Sequence, residues 1–269
     1  LVLSKPQVVA DVHNSFLAAG AGVLETCTFR ANRLTMREYG LQDQILELNR
    51  AAAQLARRCA DHHATAGRPR FVAGSIGPSG LLPSADDPTL SNISFDALAE
   101  AFREQGVGLI EGGVDVLLIE TSQDILEVKA AILGLQQAMA QTGRRVPLQA
   151  HMREPIRYLA ENAALPVSCI PNAGLPLNVD GQAVYPLEPA PFAAELGEFV
   201  TRYGVSTVGG CCGTGPEHIK LLVEQVGGRR QTPRPSQPLT LVSSAIRATG
   251  LQQNPPPMLI GERLNSQGS

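Results

Sequence analysis

Tryptophan is missing from this 269-residue chain, and aromatic residues make up only 4% of it. Leu, Val, Ile and Ala must therefore fill the core, through many small contacts instead of a few large rings. Long apolar runs are missing too. None approaches the ~20 residues of a bilayer-spanning helix, and no secretory leader is legible. There are no runs of Lys or Arg, and the net charge is −3, which argues against nucleic acid as the main partner. Cysteine is sparse and odd in number. Cys27, Cys59, Cys169, Cys211 and Cys212 do not make the dense framework of a secreted disulfide scaffold. The expectation is a cytoplasmic protein with reduced thiols, free for metal or catalytic use, and with no membrane partner.

What is present is a regular alternation of short apolar strands and amphipathic helices. Helices are predicted over 6–18, 41–63, 94–111, 124–141, 151–162, 189–203 and 216–226. Strands are predicted over 21–27, 70–76, 114–119, 146–150, 165–170 and 205–208. The segments 83–93 and 171–187 read as loops. Alternation of this kind implies a parallel sheet. Polar residues stand at nearly every strand end: Glu25, Ser75, Glu120, Asn172 and Cys211. A (β/α)8 TIM-type barrel gathers its site at those ends, whereas an open doubly wound sheet concentrates it at one switch point. The α/β barrel is the better fit.

The strand count is six, so this barrel is incomplete. A first strand would lie before Leu1. A second shortfall lies at the Ala150–His151 join, where a strand end runs straight into helix-like sequence without turn residues. Either the natural chain is shortened there by one strand–helix unit of about 30 residues, or that unit exists and the given sequence passes over it, which is the expectation. Residues 1–228 form the barrel unit in this reading. Residues 229–257, rich in Pro, Ser, Thr and Gln, have the composition of a linker. Residues 258–269 then read as the start of a further domain.

The most informative stretch is Val208-Gly209-Gly210-Cys211-Cys212-Gly213-Thr214-Gly215-Pro216-Glu217-His218. Two adjacent cysteines lie among glycines between a strand and a helix start, with Thr214 as the expected N-cap and Pro216 in the first turn. Neighbouring cysteines rarely meet disulfide geometry. Both sulfurs gripping one soft ion, such as zinc, from a loop that glycine lets bend, is the better use. Cys169 lies inside an apolar strand and reads as core, Cys59 as helix packing, and Cys27 as either pocket lining or core. His218 reads as a capping or solvent-facing residue.

GGCCGTGPEHI is similar to the signature of the homocysteine-binding, zinc-dependent methyltransferase domain. That domain occurs in cobalamin-dependent methionine synthase and in betaine– and S-methylmethionine–homocysteine methyltransferases. LVLSKPQVVADVHNSFLAAGAGVLETCTF, RFVAGSIGPSG, GVDVLLIETSQD and IPNAGLP resemble its opening helix and its strand ends. LIGERLNSQGS resembles the first strand of the pterin-binding domain that follows in methionine synthase, and so favours that subfamily over the betaine enzymes.

The resemblance implies methyl transfer to the thiolate of homocysteine, forming methionine. Cys211 and Cys212 would be zinc ligands, and a third cysteine would come from the strand missing at the Ala150–His151 join. Glu120 and Glu25 would face the substrate's ammonium. Asn172 and the glycine-rich turn, Gly209 and Thr214 included, would hold its carboxylate. Methylcobalamin and methyltetrahydrofolate would be bound by downstream domains of the same polypeptide, with Asn265 as a pterin contact. The alternatives are a betaine- or S-methylmethionine-type enzyme, a phosphate-binding barrel enzyme using the glycine-rich loop, and a barrel that has lost its metal site.

Overall fold

The structure is a computed structural model. It describes residues 1–85, 87–122, 124–150, 166–174, 177–179, 182–229, 232–233, 241–243 and 248–250. All six expected parallel strands are present, shorter than their apolar runs. Strands β1 (Val23–Glu25), β2 (Phe71–Ile76), β3 (Val116–Ile119) and β4 (Leu148–Ala150) form one parallel sheet in chain order. The register pairs Glu25 with Ala73, Ser75 with Leu118, and Ile119 with Ala150. Strand β5 (Ser168–Cys169) pairs in parallel with the later β8 (Thr207–Val208) in a second, two-stranded sheet. Among the described residues no ladder joins the two sheets into a closed barrel.

Parallel strands need crossovers, and the helices supply them. Helix α1 (Pro6–Ala18) precedes β1. After it come two single-turn pieces, α2 (Arg33–Met36) and α4 (Pro88–Ser91), and between them the long α3 (Ile45–His63). Helices α5 (Phe95–Gly112) and α6 (Ile125–Thr142) flank β3, and α7 (Pro189–Tyr203) and α8 (Pro216–Val226) flank β8. Ser94 caps α5 by accepting from Ala97 N–H, and Asp124 caps α6 by accepting from Leu126 and Glu127. Such caps satisfy amide donors that the first turn leaves orphaned.

Small residues let the helices close up, which suits a core without large rings. A side-chain carbon at Gly134 of α6 would stand 2.2 Å from the Ala99 carbonyl oxygen of α5, so only glycine permits that approach. The main core runs from Leu17 and Leu24 through Ala56, Val72 and Ile76 to Phe102, Leu117 and Leu135. A second cluster, with Val167, Cys169, Phe192, Leu196, Val205 and Leu222, backs the β5–β8 pair. Helices α1 and α8 meet, and Val223 of α8 crowds Gly20 just beyond α1.

Several local expectations change. Lys5 occupies the N-cap of α1, without a side-chain bond. Pro216 takes the first helical position of α8, so Gly215 is its N-cap and Thr214 lies one residue outside. The 83–93 loop contains α4, capped by Asp87. The 171–187 loop contains an antiparallel pair, β6 (Leu177–Val179) with β7 (Gln182–Val184). Within the expected linker, β9 (Leu241–Ser243) pairs antiparallel with β10 (Ala248–Gly250). The expected helix over 151–162 and the segment 258–269, with Asn265, lie outside the described residues. No described helix is long and apolar enough to cross a membrane.

Candidate active site

Parallel strands end on the same side of a sheet, and this delivers Glu25, Ser75 and Glu120 to one edge of the four-stranded sheet. Glu120 follows β3 and is 9% exposed. The Ser75 hydroxyl donates to its Oε1 at 2.5 Å. Burial raises the Glu120 carboxyl above its usual range, and the bond from Ser75 opposes that rise. Burial also pushes Glu25 up to about 7, and the negative charge of Glu120 adds to the effect. Two carboxylates that disfavour each other's charge make a site hungry for a cation.

The scaffold under these carboxylates is hydrogen-bonded throughout. Thr26 Oγ1 accepts from the Ser75 amide at 3.0 Å and donates to Thr28 Oγ1 at 2.6 Å. Thr28 in turn donates to the Ser75 carbonyl at 2.7 Å. The loop after β2 is tied to α6: Ser79 donates its amide and hydroxyl to Glu127, and Ser84 likewise to Asp124. Thr121, next after Glu120, has φ 59°, the one described non-glycine residue in the left-handed region. For a β-branched residue that is a strained conformation.

The thiols come from the other sheet. Beyond β8 the chain turns through 209–215 and is laced to the segment after β5. Gly209 N–H donates to Cys169, Cys211 N–H to Pro171 at 2.9 Å, and Ala173 N–H to the Cys212 carbonyl at 2.9 Å. Asn172 Oδ1 accepts from Cys212 N–H at 3.2 Å. Gly213, at φ 78°, completes the turn under the Tyr185 ring, where a side-chain carbon would stand 2.3 Å from Tyr185 Cβ. His218 accepts from Gly215 N–H through Nδ1 at 3.2 Å, and its Nε2 lies 2.9 Å from the Leu187 carbonyl oxygen.

The result is a half-exposed Cys211 and an exposed Cys212 with sulfurs 3.8 Å apart. Burial pushes the Cys211 thiol up to about 11, the neighbouring Cys212 adds to this, and the negative charge of Glu120 contributes as well. That influence ties the thiol pair to the carboxylate pair. The neighbouring Cys212 thiol raises the Tyr185 hydroxyl above its ordinary pKa.

Every expected site residue except Asn265 now has a place. Glu25 and Glu120 lie at one edge of the four-stranded sheet, Cys211 and Cys212 lie side by side beyond β8, and the charge of Glu120 reaches Cys211. Asn172 joins the cysteines, but as a brace for the Cys212 amide. The amides of Gly209 and Thr214 bond inward, to the Cys169 and Cys211 carbonyls. The carboxylate contact expected of them is therefore not carried by their N–H groups. Thr214 instead folds its side chain over Gly210. Cys169 is buried in β5 with its thiol raised to about 11 by burial, as a core residue would be. Cys59 is buried on α3, and Cys27 is exposed. His218 is a cap, as expected.

Ser75 and Tyr185 were not among the expected site residues. Ser75 was legible as a polar residue near a strand end. No sequence motif marks Tyr185.

Sulfurs 3.8 Å apart suit two corners of a tetrahedral zinc site, since two bonds of about 2.3 Å at the tetrahedral angle span that distance. Among the described residues, however, no group of three His, Cys, Asp or Glu side chains could hold a metal ion. The donor set fits zinc in kind and spacing but is one ligand short of the three that a catalytic zinc takes.

The family model described as Homocysteine S-methyltransferase matches residues 1–149 and 146–226. The chain is 34% identical over 316 residues to a methionine synthase of Mycobacterium leprae (strain TN), with 99% of this chain and 25% of that protein covered. It is also 34% identical over 306 residues to the methionine synthase of Mycobacterium tuberculosis (strain ATCC 25618 / H37Rv), with the same coverage. The chain thus spans about a quarter of the length of these relatives. Among solved structures, the homocysteine methyltransferase MmuM from Escherichia coli is similar in fold. Its oxidized form gives a TM-score of 0.62 at 19% identity, over 83% of this chain and 86% of that one. Its metallated form gives 0.58 at the same identity and coverage.

Proposed function

The chain belongs to the homocysteine S-methyltransferase family, and we propose that it is the homocysteine-binding module of a cobalamin-dependent methionine synthase. One observation carries this reading: the negative charge of Glu120, at the end of β3, is felt both by the neighbouring carboxyl of Glu25 and by the thiol of Cys211 on the other sheet. An α-amino acid with a side-chain thiol matches that pattern of charge and softness. Its ammonium would lie toward Glu120 and Glu25, and its sulfur toward Cys211 and Cys212.

The chain's own residues then have defined tasks. Glu120 is held by Ser75, so it meets an ammonium with one oxygen already fixed. Glu25 gives up its proton when the cation arrives, because an adjacent positive charge lowers a carboxyl pKa. Burial of Glu120 keeps water from screening the contact. The braced turn at 209–215 fixes both sulfurs without moving backbone. Zinc, when bound, would supply the activation of the substrate thiol by displacing its proton. Cys211 and Cys212 would be its ligands from this chain. The methyl donor, methylcobalamin, and the methyltetrahydrofolate that recharges it would be held by further domains, with Asn265 at the pterin. A length of about a quarter of the relatives is in keeping with that division of labour.

Calorimetric titration with homocysteine tests the reading. Glu120→Gln is expected to weaken binding about 10-fold or more, the worth of a charge-assisted hydrogen bond. Equal affinity for the desamino analogue, 4-mercaptobutyrate, would overturn it.

A further inference from the structure

Three separate observations meet at one peptide bond. The family match falls into two runs, 1–149 and 146–226, which abut where β4 ends. The two alignments extend over 316 and 306 residues on a chain of 269. At least 47 and 37 positions of those relatives, the excess over 269, therefore have no counterpart here. Finally, among the described residues β4 is hydrogen-bonded only to β3, and β5 only to β8. In a closed parallel barrel every strand is bonded on both sides.

We propose that this polypeptide lacks one strand–helix unit of its family's barrel between Ala150 and His151, which leaves Cys211 and Cys212 an incomplete, two-thiolate metal site. The arithmetic of length supports this. Only the 15 positions 151–165 separate the end of β4 from the described residues that lead into β5. A further strand with its own crossover would need roughly 30 more. The unmatched positions of the relatives are of that size.

The metal side of the inference is independent of the alignments. All five cysteines are described, so no third thiolate is held in reserve. Cys59 is packed in α3, Cys169 in β5, and Cys27 is exposed on the other sheet, and no described group of three ligands includes the 211–212 pair. A strand inserted beside β4, parallel to it, would end on the same edge as Glu120. That is the edge on which a third ligand would have to stand.

The inference rests on the homocysteine reading only for the choice of metal. Its test is therefore a metal measurement and not an activity. The reduced chain, as it exists, is titrated with Co2+ and with Zn2+ against a chromogenic chelator. Beside it stands a chimera that carries the corresponding unit of the M. leprae relative between Ala150 and His151. The expected result is a thiolate-to-cobalt charge-transfer band that Cys211→Ser cuts by half, and zinc that does not survive gel filtration. Losing an outer-shell partner costs about 10–100-fold in metal affinity, and losing a ligand costs more. The chimera should therefore bind zinc over about a hundredfold more tightly. One zinc retained per unmodified chain, with a band that Cys211→Ser cuts by only a third, would overturn the proposal even if the chimera did not fold. Unchanged homocysteine binding in Glu120→Gln would instead sink the substrate reading and leave the ligand count standing.

Discussion

The Ser75 hydroxyl reaches from β2 to Glu120 at the end of β3 and donates to Oε1 at 2.5 Å. This bond holds a buried carboxylate that has no described cationic partner. Ser75→Ala removes the donor and leaves the carboxylate costlier to ionise. Homocysteine affinity is expected to fall about 10-fold in calorimetry, with the fold, read by circular dichroism, retained.

Glu25 carries a pH signature. Its carboxyl is raised from 4.5 to about 7 in the folded protein. Between those values the native state binds the proton better than the unfolded chain does, so stability declines as pH rises through the interval. Above pH 7 the loss is complete, on the order of 3 kcal/mol. Urea unfolding at pH 5, 6, 7 and 8 should show the decline, and Glu25→Gln should make it shallower, leaving the part due to the raised Glu120 carboxyl, and stabilise the protein at pH 8. An equal slope in Glu25→Gln would assign the titration elsewhere.

Gly213 holds φ 78° beneath Tyr185. Gly213→Ala combines a left-handed backbone with a carbon driven into the ring. It is expected to cost about 1–3 kcal/mol. The measurement is the urea midpoint, together with the rate at which Cys212 reacts with a disulfide reagent. Both should change, because the turn that seats the sulfur is the turn that is strained.

His218 joins the α8 N-terminus to the Leu187 carbonyl and stacks edge-on against Phe192 at 5.4 Å. His218→Ala leaves an amide and a carbonyl without their partner. A loss of about 1–3 kcal/mol follows, read as a lower melting temperature. The cobalt band of the Cys211–Cys212 pair should keep its intensity, which separates a cap from a ligand.

Cys169 provides the matching control. It is buried beside Val167 and Phe192, so Cys169→Ser puts a hydroxyl into the core at a cost of about 1–3 kcal/mol. Thermal denaturation should detect this, again with the cobalt band unaltered.

The strands and most helices were legible because apolar runs of strand length alternate with capped amphipathic ones. Ser94 and Asp124 mark true helix starts. Where the reading slipped, a local signal often stood in view. Pro216 favours the first helical position, and so names Gly215 as the cap in place of Thr214. Asp180-Gly181 lies between the two strands of the β6–β7 pair and is a strong hairpin dipeptide.

The candidate site was legible in its chemistry and not in its bracing. Cys211 and Cys212 announce themselves by adjacency among glycines, and Glu120 by closing an apolar strand. Asn172 bonding Cys212, and Ser75 bonding Glu120, join residues 40 and 45 positions apart. No local pattern encodes such pairings, because they depend on which strands become neighbours.

The lacing of 171–173 to 209–212 binds the sulfurs to β5 as firmly as to β8. Both carboxylates, by contrast, ride on β1 and β3. The two ends of the proposed substrate would thus be held by different plates. A bound amino acid would act as a strut between them, and its length would gauge the angle at which the plates stand.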